Sequence, residues 1–246
     1  GDDAFTLVVE TVRAVRKATG LPVMVSVGAA TDGQLDRLAA AGADWYACYQ
    51  ETHNRMLFEQ LRVGQSYENR CRSKIAAKAR GMLVEEGLLC GVGETSPDLL
   101  HSFDVMDRMG ADQVRVMTFV PQPGTPLGDQ PASSSLRELI GIALLRLVFP
   151  QLLIPASLDV DGPDGLRRRL DAGANVVTSL VPPGQGLAGV ARHRLDIEDG
   201  RRTVEGIRNI LDVCRLAPAT HDAYRTWMDR RRGRGRIHDG RWAWAC

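Results

Sequence analysis

Long apolar runs are missing from this chain. No stretch of about 18 apolar residues occurs, which leaves no membrane-spanning helix to expect. The opening residues have no charged head followed by an apolar run; residues 1–20 read as an amphipathic helix, so no signal peptide is expected. Charge of one sign is also missing. Thirty-one Lys and Arg stand against 30 Asp and Glu, a net charge of +1, so no polyanionic partner such as nucleic acid is expected. The five cysteines, at 48, 71, 90, 214 and 246, are odd in number and scattered without CxxC spacing. That suggests reduced cytosolic thiols and not a disulfide framework or a zinc site. A dinucleotide fingerprint is absent too: Gly91-Val-Gly93 lacks the third glycine and the downstream acid.

What is present is an ordinary globular composition, 44% hydrophobic and 25% charged, over 246 residues, enough for one large α/β core. Apolar strand-like runs alternate with helical spacings. Phe5, Val8, Val9, Val12 and Val15 mark a first helix, and Leu21–Val27 reads as a strand. Thr31 caps a helix ending at Gly42, and Asp44–Cys48 is a buried strand. Helices are expected over 54–61 and 67–85, a strand over 87–92, and a helix from Thr95 or Ser96 to Gly110. Strands at 113–120, 152–157 and 175–179 alternate with helices at 133–149, 165–172 and 202–215. This order argues a parallel sheet with right-handed crossovers. Six strands are expected, where a closed barrel of this kind needs eight. From His221 the chain becomes basic and Trp-containing, and is expected to be a poorly ordered tail over 221–246, after a domain over 1–220.

Ligands of parallel α/β proteins sit at the C-terminal ends of the strands. Tyr49 and Glu51, Glu94, Arg115 and Thr118, Ser157 and Asp159, and Thr178 and Ser179 all fall there. Glu51 and Arg70 together suit a ligand bearing both an amine and a carboxylate, or else fill ordinary solvated roles. Arg115, between Val114 and Val116, needs a partner. Asp159 is either that partner, in a structural ion pair, or the group that holds the opposite end of a zwitterionic ligand. Asp159-Val-Asp161-Gly reads as a turn before it reads as a metal site. His53 reads as a capping or packing residue.

The segments YQETHN at 49–54, SYENR at 66–70 and GVGE at 91–94 resemble the S-adenosylmethionine-binding elements of biotin-synthase-like radical S-adenosylmethionine enzymes. PASLDVDG at 155–162, DAGANVVTS at 171–179 and the PPGQGLAGVA loop at 182–191 resemble, more narrowly, the methylornithine-synthase branch of that group. The resemblance runs from residue 1 to about residue 220. It implies a (β/α)8 TIM-type barrel, here lacking its first two βα units. It also implies S-adenosylmethionine, a [4Fe-4S] cluster with an electron donor, and conversion of L-lysine to (3R)-3-methyl-D-ornithine by a 5′-deoxyadenosyl radical, a step of pyrrolysine biosynthesis. It places Tyr49, Glu51, Arg70 and Glu94 at the cofactor, and Arg115, Ser157, Asp159, Thr178 and Ser179 at the amino-acid substrate.

The cluster-binding CxxxCxxC of that group is absent, and Cys48, Cys71 and Cys90 lie on separate elements with the wrong spacing. The first residue is Gly, and the expected strands begin where the group would have its third. An N-terminally truncated chain, inactive alone, is the expectation. Another biotin-synthase-like enzyme, or a non-catalytic small-molecule-binding α/β domain, are the alternatives.

Overall fold

The computed structural model of the protein describes residues 2–185 and 197–235. Its elements follow the alternation expected: α1 Asp2–Thr19, β1 Val23–Val25, α2 Asp32–Ala41, β2 Ala43–Ala47, α3 Arg55–Leu61, α4 Tyr67–Ala79 and β3 Leu83–Cys90. Then come α5 Ser96–Met109, β4 Gln113–Thr118, α6 Leu136–Val148, β5 Pro155–Ser157, α7 Gly162–Asp171 and β6 Val176–Thr178. Two helices, which we number α8 (Val204–Val213) and α9 (His221–Gly235), end the described chain. One sheet has the order β1-β2-β3-β4 and a second pairs β5 with β6. The pairings β1–β2, β2–β3 and β5–β6 are parallel, as right-handed βα crossovers require.

The chain forms two compact units. The first is Gly1–Gly87, Thr95–Gln113 and Thr220–Cys246; the second is Leu88–Glu94 and Val114–Ala219. The first unit is built on β2, whose five residues are all buried, as a strand covered on both faces must be. Val9, Val12, Leu35, Leu38, Tyr46, Phe58, Cys71, Val84 and Met109 close round it in one apolar cluster. The second unit buries Val114, Val116, Ile142, Leu145, Ile154, Ala156 and Leu166.

Helix α4 stops at Ala79, not at 85, and β3 starts at Leu83, not at 87. Gly81 takes a left-handed φ of 81°, which ends the helix cheaply only because it has no Cβ. Two adjacent acids, Glu85 and Glu86, make the following strand read as the end of a helix, yet both are buried in it. The stretch from His221, expected as a tail, is helical to 235. Met228 is buried, and Trp227 stacks on Trp45 of β2 with ring centroids 6.0 Å apart. Residues 236–246, and residues 186–191 of the loop at 182–191, lie outside the described residues.

Candidate active site

The cofactor residues expected in the first unit meet at the C-terminal end of β2. Thr52, His53 and Asn54 do structural work there. Asn54 caps α3 by accepting from Leu57 N at 3.2 Å and donates to Asp98 at 2.9 Å. His53 Nδ1 lies 2.6 Å from the Tyr67 hydroxyl. Burial, and then Lys74, push the His53 pKa well below its ordinary value, so the ring is neutral. Tyr49 donates from its hydroxyl to Glu85 at 2.8 Å.

Glu51 has φ 67°, a left-handed backbone that a non-glycine residue adopts only when its surroundings hold it. Its N–H donates to Gly87 O at 3.0 Å, and its carboxylate pairs with Arg62. Burial raises its pKa, and Arg62 opposes that rise. Arg70, expected at the start of the next helix, is in the first turn of α4 and 5% exposed. It donates to Gln65 at 2.8 Å and to the Tyr49 carbonyl, while its buried Nε has no hydrogen-bond partner. A buried guanidinium N–H left unsatisfied is costly, and a ligand carboxylate would satisfy it. Carboxylate and guanidinium beside Tyr49 therefore fit an amino-acid nucleoside such as S-adenosylmethionine.

In the second unit, Glu94 turns back on its own loop. It accepts from Gly91 N and Val92 N at 2.9 and 3.0 Å and pairs with Arg137 at 2.9 Å. Gly91 has φ 90°, and a Cβ there would stand 1.9 Å from Ser133 Oγ, so only glycine fits this turn. Glu94 thus shapes the GVGE loop through three hydrogen bonds.

The substrate residues expected in the second unit come together. Ser157 of β5 pairs in register with Thr178 of β6. Arg115 donates to Thr178 Oγ1 at 3.4 Å and also lies 3.6 Å from Met117 Sδ. Ser179, at φ 64°, donates to Asp159 Oδ2 at 2.6 Å, and its Oγ is 3.3 Å from Ser157 Oγ. The other Asp159 oxygen accepts from Arg202 at 3.1 Å. Arg202 is fully buried and was not legible as a site residue: it lies 43 positions from Asp159, in a loop read only as the start of a helix. Thr118, expected at a strand end, is held by buried Glu138, which accepts from its N–H at 3.0 Å and its hydroxyl at 2.7 Å. Arg169 bridges Glu138 and Asp161, so Asp161 serves an ion pair.

No group of three or more His, Cys, Asp or Glu able to hold a metal occurs among the described residues. Cys48, Cys71 and Cys90 are buried in separate elements, and burial pushes the Cys90 thiol up to about 12. These cysteines do not fit an iron–sulfur cluster.

No family model matches the chain. The 3-methylornithine synthase of Methanosarcina acetivorans is 43% identical over 218 residues, covering 89% of this chain and 62% of its own length. That of Methanosarcina barkeri is 44% identical over 211 residues, covering 86% of this chain and 60% of its own length. The chain is a homologue of 3-methylornithine synthase. A solved structure of methylornithine synthase superposes with a TM-score of 0.85 at 41% identity, covering 90% of this chain and 66% of that one. The chain thus spans somewhat under two thirds of the length of the methylornithine synthases it matches. The six described strands and their helices have the α/β fold of that enzyme, a (β/α) barrel in part.

Proposed function

We propose that the protein carrying this chain is a radical S-adenosylmethionine mutase that turns L-lysine into (3R)-3-methyl-D-ornithine. The observation that carries this reading is the cluster of Arg115 of β4, Thr178 of β6, Ser157 of β5, Ser179, Asp159 and Arg202, in a homologue of methylornithine synthase. A guanidinium and a carboxylate set among hydroxyls match the two charges of an amino acid. Arg115 binds the substrate α-carboxylate, and Asp159 receives its ammonium, oriented by Ser179 and Arg202. Thr178 and Ser157 accept or donate the remaining hydrogen bonds.

In the first unit, Glu51 accepts from the ribose hydroxyls and Arg70 binds the methionyl carboxylate of S-adenosylmethionine, with Tyr49 beside them. When bound with a reduced [4Fe-4S] cluster and an electron donor, that cofactor supplies hydrogen-atom abstraction. Glu94 acts one step removed, by holding the GVGE loop in shape.

Two measurements test the proposal. S-adenosylhomocysteine, the unreactive analogue, should bind the chain in a calorimetric titration, and Arg70→Ala should abolish the heat. A protein that carries this chain behind a CxxxCxxC segment should, after reconstitution with iron, sulfide and a reductant, consume lysine and yield methylornithine by mass spectrometry. Turnover of another amino acid would move it to a sister activity. Binding without any turnover would favour a non-catalytic binding domain.

A further inference from the structure

A second set of charges lies behind the cofactor corner and has no role in the chemistry above. Glu86 and Lys74 are both fully buried and paired with each other. Such a pair seldom stabilises more than apolar residues of the same volume, so its contribution has to be sought in geometry. Lys74 stands one helical turn after Arg70 on α4, so both side chains leave the same face. Arg70 reaches the Tyr49 carbonyl, and Lys74 reaches Gln50 Oε1 at 3.2 Å. Glu86 Oε1 accepts from the Gln50 N–H at 2.7 Å and from the Gly87 N–H at 2.8 Å. Gly87 O in turn accepts from the Glu51 N–H at 3.0 Å. The main chain of 49–51 is therefore tied at each residue, and the left-handed Glu51 sits at the end of that chain of bonds. Neutral His53 closes the far side, with Nε2 3.7 Å from Glu86.

We infer that Glu86, neutralised by Lys74, is a positioning residue that sets the Tyr49–Glu51 corner for the nucleoside of the cofactor. The inference rests on the cofactor half of the proposed function. Gly87 shares the role sterically: a Cβ there would lie 2.8 Å from Tyr49 Cδ1 and 3.0 Å from its Cγ, so any side chain displaces the tyrosine ring.

The test is calorimetric titration of the full chain with S-adenosylhomocysteine, reading the dissociation constant and the number of sites separately. Glu86→Gln should raise the constant by roughly tenfold or more, the cost of one displaced charge-assisted contact, with the number of sites unchanged. Glu86→Gln leaves a buried lysine without its counter-charge and risks misfolding. Glu86→Gln with Lys74→Met removes both charges together and should show the same weakened binding. Gly87→Ala, which alters no charge, should weaken binding as well. A merely structural role would lower the melting temperature and the number of sites while the folded fraction binds as before. That result, or unchanged constants in both the double variant and Gly87→Ala, overturns the inference. Wild-type chain that binds no S-adenosylhomocysteine overturns the cofactor half of the proposed function, and the inference with it.

Discussion

Asp159 accepts from Arg202 on one oxygen and from Ser179 on the other, so removing its charge has two consequences. Asp159→Asn should weaken lysine binding, by about 1.5–3 kcal/mol if it holds the ammonium. It should also break the buried Arg202–Asp159 ion pair from one side, which costs about 3 kcal/mol. For a chain of this size that is a fall of roughly 6–12 °C in a thermal melt. Asp159→Asn with Arg202→Met should recover most of the melting temperature and none of the lysine affinity; recovery of both would remove Asp159 from the substrate site. His53 gives a pH prediction. Its folded pKa is depressed by burial, so below the ordinary value of about 6.5 the unfolded chain takes up a proton that the folded chain refuses. Its contribution is complete above pH 6.5 and is lost, at about 1.4 kcal/mol per pH unit, as the pH falls from there toward the folded value. Melts of wild type and His53→Gln between pH 7.5 and 5 should diverge in slope only below about pH 6.5. Parallel curves would mean that the ring protonates freely when folded.

The element whose behaviour was least visible in the sequence is α9. A run with Arg225, Arg230, Arg231 and Arg232 looks like a solvated end, and its composition alone gives no core-facing stripe. Its order comes from partners far away in the chain. Arg231 donates to Asp112 at 2.9 Å and Arg232 to Asp44 at 2.7 Å, and both acids also receive a strand N–H, Val84 for Asp112 and Val23 for Asp44. Asp112 additionally receives Lys78 at 2.8 Å. Asp112→Ala should therefore cost about 3–5 kcal/mol, since it takes the counter-charge from Lys78 and Arg231, which keep only the Gly110 and Ala111 carbonyls, and the acceptor from the Val84 N–H. Amide exchange within 221–235 should accelerate more than in α2, which carries its own capping box at Thr31 and Gln34. Equal acceleration in both helices would mean that the Asp112 pair does not hold α9. The same contrast explains β3. Helical spacing and acidic residues extend α4 on paper, while Gly81 and the partners of Glu85 and Glu86 end it in space.

At the scale of the whole chain, the expected site divides along the two units. Tyr49, Glu51 and Arg70 belong to the first; Glu94, Arg115, Ser157, Asp159, Thr178 and Ser179 belong to the second. Ligands should protect the units separately. S-adenosylhomocysteine at a hundredfold excess over its dissociation constant should add about 2.7 kcal/mol to stability, roughly 5–10 °C. Hydrogen-exchange protection should appear at 43–54 and 66–74 with that ligand, and at 113–118, 155–159 and 176–179 with lysine. Protection by lysine confined to the first unit would reverse the assignment of the two sides.

The alternation of apolar runs, the glycines and caps at helix ends, and the polar residues that follow the strands are local features. They follow from periodicity and turn chemistry, so the sequence by itself determined the parallel α/β class and the polar residues that follow its strands, while the division of those residues between cofactor and substrate came from the family resemblance. What it left open depends on which charges meet. Arg202 on Asp159, Arg137 on Glu94, Arg62 on Glu51 and Lys74 on Glu86 join positions 11 to 43 residues apart. A charged side chain reads as solvent-facing until a partner makes its burial affordable, and that partner is chosen by packing. Only the tertiary structure could therefore decide that Glu94 shapes a loop, that Asp159 is shared with Arg202, and that the basic stretch 221–235 is a seated helix.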